Sequence, residues 1–191
     1  MIAMARHMLR ALKRFRHARS GVAVVEFALV VPIMLVVYVG AIEASTLISM
    51  DRKVQSVAGA VGDLVARADK SLTTSQMRDY FRAASGIMTP YSSEPVLQVV
   101  TAISVGEDEV ARVVWSRQLQ NGQYSATTPH AQGSVFPLPK EMIDISKGQM
   151  VIAAEASYSY TPLFGLVFNQ PISLYRSSFY LPRFGGTITI N

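Results

Sequence analysis

A glutamate five residues after a glycine, set in a run of valine, alanine, leucine and isoleucine, is the first chemistry this chain offers. The stretch is "RSGVAVVEFALVVPIML", residues 19–35, and Gly21, Glu26 and Phe27 stand out in it. An acid at the centre of a membrane-spanning helix costs about 2.5–3.5 kcal/mol on insertion scales, and less near an end, so such a residue normally has a partner. A cut after Gly21 would supply one. Val22 would become the N-terminus and Glu26 would stand at position five. The new α-amino group, positive below a pKa of about 7.7–8.0, could then pair with this carboxylate on an adjacent helix. Gly21 would give a peptidase an unhindered backbone.

Other reactive constellations are missing from the sequence. There is no cysteine, hence no disulfide framework, thiolate nucleophile or sulfur-ligated zinc. His7, His17 and His130 have no metal-ligand spacing and suggest no Ser-His-Asp arrangement. Neither a phosphate-binding loop nor a dinucleotide fingerprint occurs. The acids beyond the apolar run read as scattered over a solvated surface. The expectation is a protein that is not an enzyme, with no catalytic residues, no metal and no cofactor.

The element that must position Glu26 is "VAVVEFALVVPIMLVVYVGAI", residues 22–42, 21 residues with one charge. As a helix it spans roughly 31 Å, against a bilayer hydrocarbon core of about 30 Å. Two rival readings exist. A buried helix of a soluble protein is rarely this long and this apolar; a cleaved secretory signal usually has a shorter core, ending at small residues. Pro32 removes one helical hydrogen bond and can kink the helix, and Glu43 reads as an exposed acid where the helix leaves lipid.

Charge sets the orientation. The formal net charge is +5 over 191 residues, but Arg6, Arg10, Lys13, Arg14, Arg16 and Arg19 all precede Gly21 and no acid does. From residue 22 onward 12 basic residues face 13 acidic ones. The body of the protein therefore has no positive excess for phosphates, and no nucleic-acid partner is expected. The basic side of an apolar span tends to stay cytoplasmic, which sends the residues after about Met50 across the membrane. The expected organisation is a basic cytoplasmic leader (1–21), a transmembrane helix (22–50) and an extracytoplasmic α+β domain (51–191).

These residues carry a resemblance. The basic leader, Gly21, four apolar residues, Glu26-Phe27 and the continuation "FALVVPIMLVVYVGAIEAS" with Pro32, Gly40 and Glu43 resemble the class IV prepilin site in its Flp/Tad variant, and the TadE-like family. "VIAAEASYSYTPLF" and the later "YLPR" are weaker matches. The resemblance implies a pilin-like component of the tight-adherence pilus machinery in the bacterial inner membrane, its outer domain periplasmic. It also implies cleavage between Gly21 and Val22 by prepilin peptidase, recognition and assembly through Glu26 and Phe27, and association with other pilins or pseudopilins and Tad assembly proteins. The alternative is an uncleaved single-pass anchor that presents a periplasmic binding domain to a secretion complex. A membrane-tethered hydrolase is a third class, which would need a concave site of converging polar side chains.

Beyond the membrane, Val54, Val57, Ala58, Val61, Leu64, Val65 and Ala68 recur at spacings of three and four, predicting one face of a helix continuous with the span. Gly59 and Gly62 weaken that helix. "SLTTSQMRDYFRAASGIMTP" predicts a second helix with Thr74 as N-cap, an apolar face of Met77, Tyr80, Phe81 and Ala84, and an end at Gly86 and Pro90. "VLQVVTAISV" and "EVARVVWSRQL" predict a hairpin, with Ala111, Val113 and Trp115 on one face of its second strand and Trp115 in the core. Residues 118–139 read as a polar loop, a candidate for partner contact. "GQMVIAAEASYSYTPLF" alternates cleanly and "ISLYRSSFYLPRF" is its partner strand. That makes about four antiparallel strands for the long helix to pack on, with "GGTITIN" as a short edge strand or a frayed tail.

Overall fold

The computed structural model describes residues 20–162, 164, 165 and 169–191; the basic residues of the leader lie outside these. Helix α1, Ser20–Ala66, is 47 residues long and passes unbroken through Pro32. At ~1.5 Å per residue it extends about 70 Å. Its first half is bare: residues 21–30 are exposed throughout, and Ile33, Leu35, Val37 and Tyr38 all stay open. Its second half is docked: of the predicted stripe, Val54, Val57, Ala58, Val61 and Val65 are fully buried, Leu64 is half-buried, and Ala68 is buried just past the helix end. Burying an aliphatic side chain of this kind contributes about 1.5–3 kcal/mol, so a helix whose first half is long and apolar enough to cross a membrane is also a core element.

The partner of that stripe is a five-stranded antiparallel sheet of order β4-β3-β2-β5-β6. Its strands are β2 Leu97–Val105, β3 Ala111–Gln120, β4 Gln123–Ser125, β5 Met150–Tyr160 and β6 Ile172–Tyr180. Val100, Ala102, Ile152, Ala154 and Ala156 face α1, together with Met77, Phe81 and Ala84 of α2, Thr74–Ser85. The architecture is α+β: a long apolar N-terminal helix followed by a small antiparallel sheet. A second sheet is parallel and two-stranded, pairing β1 Ser71–Leu72 with β7 Thr189–Ile190. The C-terminal tail is thus held at the start of α2 and does not extend the main sheet.

Several local expectations change. The N-cap of α2 is Thr73, not Thr74: its hydroxyl accepts from the Gln76 amide, and the Gln76 side chain accepts from the Thr73 amide. Only Thr73 has a glutamine three residues on, which is what a capping box requires. Trp115 is buried but does not share a face with Ala111 and Val113. Register slips between Ala102↔Trp115 and Ile103↔Val113, so Val114 is an extra residue that rotates the strand. Trp115 then meets the helices, where its indole nitrogen donates to Ile188 O at 2.7 Å, while Ala111 and Val113 face the other way.

That other face is covered too. Residues 118–139 are not simply a polar loop, since they contain β4 and then fold back over the sheet. Phe136 and Leu138 pack on Ile103, Val105, Val151 and Ala153, with helix α3, Lys140–Ile145, beyond them. Phe136 and Leu138 are too few and too isolated to leave a periodic signal.

Candidate functional site: the anchor helix and its junction with the outer domain

The bare half of α1 carries the residues singled out in the sequence. Gly21, Val22, Glu26 and Phe27 all lie in its first turns and all are exposed, Phe27 at 70%. A Cβ built on Gly21 would meet nothing within 4 Å. The fold of this chain therefore gives no steric reason for glycine there, and glycine in a helix costs roughly 0.5–1 kcal/mol relative to alanine. Glu26 shares its face with Val22 and Val30, one turn away on either side. No lysine or arginine occurs between Ser20 and Asp51, so the helix around Glu26 offers it no cationic side chain.

The junction begins at Glu43, where the expectation of an exposed acid fails: its exposure is 1%. Phe164, in the turn after β5, donates its backbone N–H to Glu43 Oε1 at 3.2 Å. From there α1 is held by ion pairs to β6 and to the segment that follows it. Arg176 reaches Asp51 at 2.6 Å, and Arg183 reaches Asp63 at 2.6 Å. Asp63 also pairs with Arg67 at 2.7 Å. Hydrogen bonds from Arg67 and Arg183 hold the Asp63 carboxyl below its ordinary pKa. Gly62 allows close approach, for the Tyr180 ring lies against it, and the Tyr180 hydroxyl donates to Gly59 O at 3.0 Å. The small size of Gly62 shapes the helix–sheet contact.

The outer domain holds one polar cluster that spacing could not reveal. Glu155 of β5 is 8% exposed, against the expectation of uniformly solvated acids. Tyr175 of β6 donates to its Oε1 at 2.5 Å, and His130 Nε2 lies 2.6 Å from its Oε2. Burial and the bond to Glu155 push the Tyr175 phenol up to about 12. The His130 ring packs on Phe136, centroids 4.7 Å apart. This arrangement clamps the segment after β4 to the sheet. It supplies a buried acceptor with two partners and no activated nucleophile. The one sequence signal was Glu155 itself, a charge following Val151 and Ala153 on the same face of β5. Among the described residues no group of three His, Asp or Glu side chains gathers as a metal would require.

Beside the clamp, a groove of about 610 Å³ runs along the part of β3 that β4 does not cover, between Trp115, Arg117, Thr127, His130 and Thr189.

Residues 21–62 match the family model described as TadE-like protein. The match starts at Gly21 and takes in Glu26, Phe27, Glu43 and the docked helix as far as Gly62, in agreement with the resemblance read from those residues. The match is confined to the helix and leaves the sheet unmatched. No curated protein and no solved structure matches the chain.

Proposed function

We propose that this chain is a minor pilin or pseudopilin of a Flp/Tad-type type IV pilus machinery, cut by prepilin peptidase between Gly21 and Val22, that supports pilus assembly and surface adhesion. It is held in the inner membrane with its N-terminus cytoplasmic and its outer domain periplasmic. The observation that carries this reading is the division of α1: a bare apolar half bearing Gly21, Glu26 and Phe27, joined without a break to a half buried in a folded domain. An anchor alone needs neither the acid nor the glycine.

In this reading the bare half is stored in lipid and later packs on the same half of neighbouring subunits. Glu26 accepts the α-amine that cleavage exposes on an adjacent Val22, which removes the cost of an uncompensated acid in an apolar setting. Phe27 supplies apolar area beside it. The Asp51–Arg176 and Asp63–Arg183 pairs, with the valine stripe, make the outer domain move with the helix when the machinery pulls on it.

One observation favours the alternative, an uncleaved single-pass anchor that presents the outer domain to secretion components. Helix α1 already includes Ser20, Gly21 and Val22, and a peptidase would have to open that first turn. Gly21 makes such opening cheap. Substituting Gly21→Leu decides between the two: processing predicts accumulation of the longer form, and unchanged migration supports the anchor. Glu26→Gln should insert as well as the parent and fail in assembly.

A further inference from the structure

Between residues 22 and 50 the charged residues are Glu26 and Glu43, and the next is Asp51. Residues 22–42 account for roughly the hydrocarbon thickness. Residues 22–49 would extend about 42 Å as a helix, which is the thickness of a bilayer with its headgroups, about 40–45 Å. The helix between Glu43 and Met50 is built for that zone. Glu43 is buried, and Thr46 and Ser49 turn their hydroxyls onto the carbonyls of Ile42 and Ser45 at 2.9 Å. Ile48 is left 54% exposed.

The outer domain reaches down to the same depth. Helix side chains lean toward the N-terminus, so the Glu43 carboxylate points back along the apolar run, and the Phe164 amide is bonded to it there. Val39 and Gly40, one turn earlier on the same face, are already partly covered. The Phe164 side chain, although its own amide is tied to a buried acid, is 53% exposed. An apolar ring at this level has lipid beside it when the helix spans a bilayer.

We propose that Phe164 seats the outer domain on the membrane, its ring inserted at the boundary between headgroups and acyl chains and Ile48 entering the same layer from the helix. Glu43 is then screened from lipid by the chain's own domain. This inference rests on the spanning role of α1 and does not depend on cleavage or pilus assembly.

The chain has no cysteine, so single-cysteine labelling is direct. Leu35→Cys, Phe164→Cys and Phe184→Cys each receive a nitroxide, and the full-length protein is reconstituted in phosphatidylethanolamine–phosphatidylglycerol vesicles. Power saturation with oxygen and with a water-soluble nickel chelate then reports depth. Leu35 marks the span and Phe184, 69% exposed at the far end of the domain, marks solvent. The proposal expects position 164 to be accessible to oxygen and protected from nickel, shallower than position 35. Nickel access at 164 equal to that at 184, with position 35 protected, overturns the seating while leaving the span intact. Protection of 164 from both reagents means that protein covers it, and also overturns the proposal. Nickel access at position 35 overturns the span, and the seating with it.

Discussion

The ring of Tyr180 occupies the space that a side chain on Gly62 would need: a Cβ there would come within 2.6 Å of Tyr180 Cε2 and 2.9 Å of Ala154 Cβ. Three residues earlier, a Cβ on Gly59 would meet the Tyr180 hydroxyl at an ordinary 3.5 Å. Two glycines on one helix thus have opposite meanings. Gly62→Ala must push the sheet away, and overpacking of this kind costs about 1–3 kcal/mol, more than the ~1 kcal/mol that alanine returns in helix propensity. Gly59→Ala should be neutral or stabilising. Thermal unfolding of both variants in detergent checks this, and equal melting temperatures would refute the close-packing argument.

The Tyr175–Glu155 contact predicts an alkaline limit. A phenol whose folded-state pKa is raised contributes stability that is complete below its unfolded value, about 10, and that is lost as pH rises toward its folded value of about 12. Unfolding midpoints should therefore fall between roughly pH 10 and 12, and Tyr175→Phe should flatten this component. A phenolate titration near pH 10 at Tyr175, followed by its ultraviolet difference against the Phe variant, would contradict the contact.

Acid acts on the opposite edge of the fold. The Asp63 carboxyl is held below its ordinary value by Arg67 and Arg183. Its contribution is present above the unfolded pKa of about 4 and is lost as pH falls through the depressed folded value. Since exposed pairs contribute about 0–1 kcal/mol, Asp63→Asn should lower stability modestly at pH 7. Its difference from the parent should shrink below about pH 4. Hydrogen exchange at the C-terminal end of α1 would register the change, and a difference independent of pH would show that the pairs do not hold the segment after β6 to the helix.

The sequence revealed what repeats and hid what depends on distance. Valines at spacings of three and four from Val54 to Val65 gave the docked helix, and the alternation from Met150 to Tyr160 gave the central strand. The bulge at Val114 has no local signature, so every face assignment before it in β3 reverses and Trp115 parts from Val113. Phe136 and Leu138 are two buried residues in a polar stretch, below what any periodicity detects. His130 and Glu155 are joined only by folding, as are Glu43 and Phe164. The cap at Thr73 is legible through Gln76, three residues on. Of the candidate site, the types and spacing of Gly21, Glu26 and Phe27 were visible at once. That half of α1 stays bare while the other is buried is a property of the fold.

The central claim is that Glu26 is tolerated in an apolar helix because cleavage after Gly21 frees an amine to compensate it. N-terminal sequencing of the protein recovered from membranes, in cells with and without prepilin peptidase, tests this most directly. The account predicts a first residue of Val22 when the peptidase is present and an intact arginine-rich leader when it is absent. A chain that keeps its leader in both backgrounds while pili still assemble would contradict it.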